Sequence, residues 1–420
     1  MALQRAKGLT AGIAVAAMFL LSACGGGAGA QSEEDEGFAY GASQEEIDAA
    51  IEDLEPIEIV YQAPPSSPNA LTAPSYQYYA DVVEERSNGK ISVEVLYGHP
   101  IAGEAELYDA LVDGRIDLTY ANPQYEPATF PSFDALTSIT SQLPESPVVG
   151  ELIAIATLTD IAWNSEEIMS DFEEQGVVPM VPINPPGASL AFCNEPGSSL
   201  EDWEGRQSRV GSSVHSRLVE SMGASPVSIE YLETYEALQR GTIDCTMIVT
   251  SPAYEGGYYE VAPNMQYTGE QAIPRSMGAM LAGSTFKEMP LAYQQIIFDS
   301  WQDAHRESIE VILETNLMGV EEANRVGGEV TTYDDDVLEL IDQNRQAEME
   351  TVVEEGLLGD DIESRVTETI EKWTGIVEEL GYEDGGTWEE LPEWFDPDEF
   401  DAAPFVDRLY EEVISKHRPS

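Results

Sequence analysis

Three cysteines carry the most reactive side chains of this chain, Cys24, Cys193 and Cys245. Cys24 ends an export signal that is described below, so Cys193 and Cys245 remain as an even pair. Outside the cytoplasm an even pair favours a disulfide, and two separate buried thiols are the alternative. Neither residue has a neighbouring motif that would lower the thiol pKa, so we do not expect a catalytic thiolate.

The first 24 residues have the pattern of a bacterial lipoprotein signal. Two basic residues begin it, a short apolar stretch follows, and Leu21-Ser22-Ala23-Cys24 surrounds the cysteine that would receive the lipid. We predict that residues 1–23 are removed and that Cys24 then ties the protein to the outer face of the membrane. An ordinary cleaved signal peptide with an incidental cysteine is the alternative.

Motifs for catalysis, phosphate binding or metal binding are missing from the sequence. It contains no Gly-x-Ser-x-Gly elbow, no phosphate-binding glycine loop and no His-Glu-x-x-His. The four histidines are dispersed, and carboxylates are too numerous for any acid pair to stand out. Asp396, Asp398 and Asp401 alternate like calcium ligands, but Pro397 interrupts them and the turn glycine is missing. We therefore expect no enzyme activity, no cofactor and no metal site.

The chain is strongly acidic, with 79 Asp and Glu residues against 19 Lys and Arg residues and a formal net charge of −60. Such a field repels phosphate, so nucleic acid and anionic membrane surfaces are poor partners, and we expect no nucleic acid as a partner. Surface solubility in a salty or alkaline medium is one interpretation of this acidity. A dedicated acidic face for cations is the other.

One segment of the chain occurs twice, at 108–119 and at 235–246, with Tyr, Ala, Leu, Gly, Ile, Asp and Thr kept at the same places. Each copy indicates the end of a helix, a left-handed glycine that stops it, and a strand that begins with Ile-Asp. The copies lie too far apart for a solenoid, whose period is roughly 20–50 residues. They predict two similar α/β lobes with a ligand cleft between them.

The alternation of strand and helix patterns is typical of mixed sheets covered by helices. We predict a flexible acidic tether, a first lobe made of two chain segments, a second lobe inserted between them, and C-terminal helices that pack on both lobes and end in an acidic tail. The tether is predicted at 24–56 and includes a short helix near 44–54. Lobe I is predicted at 57–187 together with 269–330, and lobe II at 188–268. The C-terminal helices and tail are predicted at 331–420.

An ordered set of segments resembles the extracytoplasmic solute receptors of tripartite ATP-independent periplasmic (TRAP) transporters, the DctP-like family. The resemblance covers roughly residues 57 to 350, and it depends on the order of the pieces because no single piece is specific. The segments that carry it are 83–95, 103–117, 200–210, 222–227 and 233–244. It implies a two-lobed periplasmic-binding-protein-like fold that captures a small organic acid anion and delivers it to the TRAP membrane permease.

The resemblance also implies a set of ligand-binding residues. Arg209 ends the element 205–209, where the family has an arginine that pairs with the ligand carboxylate. A planar guanidinium suits that role because it can form two parallel hydrogen bonds with a carboxylate. An arginine in a surface ion pair is the alternative. The further positions implied, each with an ordinary structural role as its alternative, are Tyr231, Ser212, Asn122, Tyr120 and Ser66.

The sequence departs from the family pattern at two places. Ile248 stands where the family commonly has an asparagine, and the segment 187–192 lacks a second arginine. Both changes make the predicted pocket less polar than a dicarboxylate site. A monocarboxylate with an apolar body is therefore our hypothesis for the ligand.

Two other functions remain compatible with the sequence. The lobes are also compatible with an ABC importer or a sensor, with the same lipid anchor. A surface interaction protein that has lost ligand binding is a further alternative, motivated only by Ile248. The sequence does not separate a Gram-positive cell surface from a periplasmic location.

Overall fold

The computed structural model describes residues 37–229, 231–269 and 272–420. Its strands, in chain order, are β1 (Ile57–Ala63), β2 (Ile91–Tyr97), β3 (Leu118–Ala121), β4 (Val178–Asn184), β5 (Leu190–Cys193), β6 (Gln207–Arg209), β7 (Ser225–Val227), β8 (Cys245–Ile248), β9 (Asn264–Tyr267), β10 (Gly278–Ala282) and β11 (Val330–Thr332). Its helices are α1 (Gln44–Ile51), α2 (Ala73–Arg86), α3 (Leu107–Val112), α4 (Pro131–Ser138), α5 (Val149–Trp163), α6 (Glu166–Glu174), α7 (Leu200–Trp203), α8 (Ser213–Ser221), α9 (Thr234–Gln239), α10 (Thr250–Glu255), α11 (Leu291–Asp299), α12 (Trp301–Val326), α13 (Asp335–Glu355), α14 (Ile362–Leu380), α15 (Leu391–Trp394) and α16 (Ala403–Glu412).

The strands form two mixed sheets. The first sheet has the order β2-β1-β3-β10-β4, in which β1 runs parallel to β2 and β3, while β10 is antiparallel to β3 and β4. The second sheet has the order β11-β9-β5-β8-β6-β7, in which β5 is antiparallel to both of its neighbours. These sheets are the centres of lobe I and lobe II, and the predicted α/β class with two lobes is confirmed.

The repeated segment has a structural cause in both lobes. Gly114 and Gly241 have φ of 70° and 65°, so each ends its helix in the left-handed conformation that favours glycine. The aspartate that follows in each copy holds the neighbouring strand. Asp117 accepts a hydrogen bond from the Val60 amide at 2.8 Å, and Asp244 accepts one from the Gln207 amide at the same distance. The copies are therefore equivalent strand–helix joints in the two lobes.

The chain crosses repeatedly between the lobes. Residues 185–189 lead from β4 to β5, and residues 268–277 lead from β9 back to β10. Helix α12 also spans both lobes. Trp301 at its start stacks on Tyr79 of lobe I, with 3.9 Å between the ring centroids. The helix ends at Gly327, whose φ is 85°, and β11 then joins the second sheet.

The predicted disulfide is confirmed. Cys193 and Cys245 are directly opposite each other in the antiparallel pair β5–β8, and their sulfur atoms are bonded. Both residues are fully buried in the core of lobe II. The alternative of two separate thiols is therefore wrong.

The segment before lobe I differs from the flexible tether predicted for 24–56. Within that range the structure describes residues 37–56, which contain α1. Ile47 and Ile51 on this helix are buried, and Lys90 donates a hydrogen bond to the Ile51 carbonyl at 2.6 Å. The short helix predicted near 44–54 is therefore present, and its two buried isoleucines attach it to lobe I, which the prediction of a flexible tether did not include. The predicted lipidation site, Cys24, lies outside the described residues.

The C-terminal helices pack on elements of both lobes, α14 on α5 and α13 on α4 and α8. Trp373 and Val377 of α14 are buried, and this helix packs along α5. Beyond α14, the predicted acidic tail also packs on the molecule. Trp388 is buried, with its indole nitrogen donating to the Glu145 carbonyl at 2.7 Å. Among the described residues, no helix is both long enough and apolar enough to cross a membrane.

Candidate functional site

Arg209 ends strand β6 at the edge where the parallel strands of lobe II finish. Pairing sets it beside Val227 of β7 and Thr246 of β8. It is 5% exposed, and its Nε donates a hydrogen bond to the Ile229 carbonyl at 3.3 Å. In the described part of the chain, no carboxylate forms an ion pair with the Arg209 guanidinium. A buried cation without a counter-ion attracts an anion, and a carboxylate matches its geometry.

Two tyrosines of lobe II lie beside Arg209. The Tyr231 hydroxyl donates to the Pro252 carbonyl at 3.1 Å, and the Tyr258 hydroxyl donates to the Tyr231 carbonyl at 3.0 Å. Their ring centroids are 6.2 Å apart. Burial raises the pKa of both phenols, against the opposing charge of Arg209. Both rings are therefore fixed and neutral next to the guanidinium.

Ser212 has a structural partner of its own. Its hydroxyl is the N-cap of α8 and accepts the His215 amide at 3.3 Å. It also lies 3.0 Å from Nδ1 of His215, whose Nε2 lies 2.5 Å from the Pro274 carbonyl. Burial lowers the pKa of His215 to about 4, so Nε2–H donates to the carbonyl and Nδ1 accepts from Ser212. Direct ligand contact by Ser212 remains a prediction.

Lobe I contributes Tyr120 near the end of β3. Its ring lies over Gly278 of β10, where any side chain would collide with the phenol, so glycine makes room for it. Burial raises the pKa of Tyr120 well above the usual value, with smaller effects from Tyr76 and Tyr125. The ring of Tyr76 lies 5.6 Å from that of Tyr61, between centroids. Tyr61 and Tyr76 thus form an aromatic wall on this lobe, and Tyr76 contributes to the raised pKa of Tyr120.

Tyr125 is an exposed tyrosine of lobe I that adds slightly to the raised pKa of a phenol in each lobe. It is 46% exposed and follows β3 in a short helical turn. Its phenol interacts electrostatically with Tyr120 in lobe I and with Tyr258 in lobe II. Tyr76, Tyr125 and Tyr258 were not among the residues predicted from the sequence, because they lie in separate elements and belong to no motif.

The remaining two predicted residues are not brought to Arg209 by any contact that the structure shows. Asn122 is half-buried, and its carbonyl accepts the Tyr125 amide at 3.0 Å. Ser66 is exposed in the loop after β1, and its backbone packs against Gly98. Their roles in ligand binding remain predictions.

Several polar side chains near the strand ends are already engaged by backbone groups. Gln62 accepts hydrogen bonds from the Ile101 and Ala102 amides at 2.9 and 3.2 Å. Gln124 accepts the Met277 amide at 3.0 Å. The side-chain oxygens of Gln62 and Gln124 hold loops in place, so they are not free to accept hydrogen bonds from the hydroxyls of a sugar-like solute.

Two contacts join the lobes on either side of this aromatic region. Glu255 of α10 accepts hydrogen bonds from the amide and the hydroxyl of Thr72, at 2.7 and 3.0 Å. Ser213 of α8 donates to the carboxylate of Asp134 on α4 at 3.1 Å. Both pairs join groups from different lobes, so they require the lobes to be close together.

The crossing segment 268–277 is held by two buried acids. Glu145 accepts the Thr268 amide at 2.7 Å and the Ile273 amide at 3.2 Å, and burial raises its pKa to about 7. Glu151 pairs with Arg275 at 2.6 Å with both side chains fully buried. Glu151 also accepts the Ala188 amide at 2.6 Å, so it binds both crossing segments.

Two open recesses lie away from Arg209. The first, of about 240 Å³, lies between α8 and α13 and is lined by Val214, Leu218 and Ile341 among others. The second, of about 320 Å³, lies under α12 and is lined by Ile183, His305 and Ile309 among others. Neither contains a free cation near the aromatic wall, so we place the candidate site at Arg209.

Comparison with known proteins agrees with this arrangement. Residues 59–355 match the family model DctP, described as bacterial extracellular solute-binding protein, family 7. The chain belongs to this family. Family 7 proteins bind solutes and are not enzymes, which confirms the expectation that this chain is not an enzyme. The resemblance noted in the sequence is likewise confirmed.

Relatives of known sequence or structure share the fold at low identity. A solute-binding protein of Sulfitobacter sp. strain NAS-14.1 is 22% identical over 54% of this chain and 66% of its own length, so the match spans slightly less than two thirds of it. A TRAP solute-binding protein of Rhodoferax ferrireducens, solved with copurified benzoate, covers 76% of this chain and 99% of its own, with 15% identity and a TM-score of 0.66. The sugar acid binding protein of Advenella mimigardefordensis, solved with galactonate, covers 76% of this chain and 100% of its own, with 17% identity and a TM-score of 0.62.

Proposed function

We propose that this family 7 protein is the extracytoplasmic receptor of a TRAP-type transporter and delivers a small organic acid to a membrane permease. Arg209 carries the proposal, because it is buried at the strand ends of lobe II without a carboxylate partner in the described part of the chain. Solutes bind at the carboxyl ends of strands in open α/β sheets. The Rhodoferax and Advenella proteins, solved with benzoate and galactonate, are also carboxylate binders.

The geometry favours one carboxylate on the solute. Arg209 supplies a cation at one end of the aromatic region, while Glu255 lies near Tyr76 and Tyr231. A second carboxylate near Glu255 would meet a like charge in a poorly solvated space. Ile248, which ends β8 near the site, adds an apolar surface. We infer a monocarboxylate with an apolar body.

Thermal and urea unfolding of the chain from residue 25, screened against a panel of carboxylic acids, tests the proposal. A binding acid at 100 times its Kd should raise the free energy of unfolding by about 2.7 kcal/mol. Arg209→Ala should abolish this increase. Arg240→Ala is the matched control, because Arg240 is exposed and pairs only with Glu236 among the described residues. Stabilisation by solutes that lack a carboxylate, or binding that survives Arg209→Ala, would contradict the proposal.

We propose further that lipid on Cys24 holds the receptor at the outer face of the membrane. The sequence Leu21-Ser22-Ala23-Cys24 supports this proposal. In a bacterial host, the wild-type chain should partition into the detergent phase of a detergent extraction, whereas Cys24→Ser should remain in the aqueous phase. Equal partitioning of the two proteins would refute the lipid anchor.

The division into lobes is proposed at the ranges predicted from the sequence, 57–187 with 269–330 and 188–268. The crossing segments 185–189 and 268–277 support these boundaries because each joins one sheet to the other.

A further inference from the structure

The Arg209 guanidinium has one engaged nitrogen and two free ones. Its Nε donates to the Ile229 carbonyl, whereas Nη1 and Nη2 have no hydrogen-bond partner in the described part of the chain. The two Nη atoms can donate together to one carboxylate. A carboxylate has about four acceptor positions on its two oxygens, so these two bonds leave others unfilled. A further donor beside Nη1 would therefore strengthen binding.

Ser276 lies beside this end of Arg209, where the crossing segment leads into β10. All residues of 272–283 are buried except Ser276, which is half-buried. Arg209 Nη1 and Ser276 Oγ lie 3.6 and 3.7 Å from the same point, the position that a Cβ on Gly211 would occupy. The Ser276 hydroxyl has no hydrogen-bond partner among the described residues. Two free donors therefore border the space that Gly211 leaves open.

The backbone around Ser276 is fixed from both sides. The Ser276 amide donates to Ser189 Oγ at 3.1 Å, and the Met277 amide donates to Gln124 at 3.0 Å. On the other side, Arg275 is held by its fully buried ion pair. The Ser276 hydroxyl is thus positioned before a solute arrives, which lowers the entropic cost of the hydrogen bond that it forms.

We infer that Ser276 donates a further hydrogen bond to the solute carboxylate beside Arg209, and that Gly211 leaves the room in which this carboxylate lies. The inference rests on the receptor function proposed above and adds two residues to its site. Arg209 belongs to lobe II, whereas Ser276 belongs to the segment that leads back to lobe I. A carboxylate bound by both therefore joins lobe II to the crossing segment.

This arrangement favours a carboxylate over the corresponding amide. Charge-assisted hydrogen bonds are about twice as strong as neutral ones, and both oxygens of a carboxylate accept. An amide offers one acceptor oxygen, and its NH2 group cannot accept from a guanidinium or a hydroxyl. Ser276 is therefore assigned a part in specificity, since it adds a donor that only the acid can fully use.

Acetate tests the inference whatever the rest of the solute is. It consists of a carboxylate and a methyl group, and acetamide is its neutral analogue of similar shape. Thermal unfolding of the chain from residue 25 would be followed as acetate rises to about 100 mM at constant ionic strength, because so small a ligand binds weakly. The dependence of stabilisation on concentration gives the Kd. Acetate should stabilise the wild type, and acetamide should not.

Four variants separate the hydroxyl from its surroundings. Ser276→Ala should raise the Kd for acetate by about tenfold, because a hydrogen bond to a charged group is lost. Ser276→Thr keeps the hydroxyl and should stay within about threefold of the wild type. Gly211→Ala should raise the Kd by at least about tenfold, because its methyl group fills the space. Ser308→Ala is the matched control, because Ser308 is also half-buried but lines the recess under α12, away from Arg209.

The outcomes distinguish this inference from the receptor function. Weaker acetate binding in Ser276→Ala and Gly211→Ala, with Ser276→Thr and Ser308→Ala close to the wild type, supports it. Acetate binding that requires Arg209 but is unchanged in Ser276→Ala overturns it and leaves the receptor function intact. An equal loss in Ser276→Thr also overturns it, because the loss then follows from packing and not from the hydroxyl.

Two further results would count against the inference. If acetate does not stabilise the wild type, or if its effect survives Arg209→Ala, the site of Arg209 and Ser276 is refuted, while the acid panel still decides the receptor function. Unfolding without acetate shows whether each variant folds. Should Ser276→Ala fail to fold, Gly211→Ala decides the question, since it removes no side-chain hydrogen bond.

Discussion

The buried histidine behind Arg209 combines a structural role with a pH dependence. His215 has a pKa of about 4 in the folded protein because it is buried, whereas an exposed histidine titrates near 6.5. Its folded pKa is lowered, so its contribution to stability is complete above pH 6.5 and is lost as the pH falls towards 4. Protonation would also place a second positive charge near Arg209.

We predict that His215→Gln removes this pH dependence. At pH 8 the variant should be less stable than the wild type, because the glutamine amide cannot reproduce both ring hydrogen bonds. Between pH 6.5 and 4 the wild-type advantage in free energy of unfolding should shrink by about 3 kcal/mol, since each unit of pKa difference corresponds to about 1.4 kcal/mol. Urea unfolding at several pH values would measure it. An advantage that stays constant down to pH 4 would contradict this prediction.

Residue-level inference from the sequence succeeded where one residue type carries the chemistry. The cysteine pair was predicted and is confirmed, whereas Arg209 was identified through the family resemblance and its contact with the ligand remains a prediction. Tyr76, Tyr125 and Tyr258 could not be predicted, because they come from separate elements and tyrosine is frequent in this chain. Ser212 caps α8, which the sequence did not indicate, and its contact with the ligand remains a prediction.

At the scale of elements, the disulfide fixes the central strands of lobe II. Cys193 and Cys245 are 52 residues apart in sequence, so the bond closes a large loop in the unfolded chain. We predict that Cys193→Ala with Cys245→Ala lowers the free energy of unfolding by about 2–4 kcal/mol. The β5–β8 ladder should persist, so Arg209-dependent ligand binding should be retained with little change in affinity.

Urea unfolding of the double variant beside the wild type, with and without reductant, measures this effect. Reductant should destabilise the wild type and leave the double variant unchanged. Equal stability of the two proteins under oxidising conditions would show that the bond contributes nothing, and this would contradict the prediction.

The elements themselves were largely predictable because the apolar periodicity is clear. The repeated joint at Gly114 and Gly241 was found from the sequence, and Asp117 and Asp244 now explain why it recurs. The short helix predicted near 44–54 is present as α1, but its attachment to lobe I was not predicted, because only Ile47 and Ile51 give this acidic helix an apolar face.

At the scale of the whole molecule, the buried pair Glu151–Arg275 links both crossing segments to α5. Removal of one partner leaves an uncompensated charge in the interior. We predict that Glu151→Gln lowers the free energy of unfolding by about 3–5 kcal/mol. The surface pair of Glu322 with Arg325, whose side chains are 22% and 67% exposed, is the control, and Glu322→Gln should change stability by less than about 1 kcal/mol.

Urea unfolding at low and high salt checks this prediction. The cost of Glu151→Gln should change little with salt, because the pair is buried and poorly screened. A loss of stability no larger than that of Glu322→Gln would mean that water stabilises the charge of Arg275 in the variant. The link between the lobes would then be weaker than the structure indicates.

The order of strands in the first sheet also has a consequence for synthesis. Strand β10 lies between β3 and β4, yet it follows strands β5 to β9 of the second sheet in the chain. A nascent chain that has reached β4 still lacks the middle of its first sheet, so lobe I cannot close until the ribosome has passed Ala282. Pairings between distant segments form slowly. The emerging polypeptide should therefore stay extended for most of its translation, and a translocation channel that accepts only unfolded chains would meet it in a suitable state.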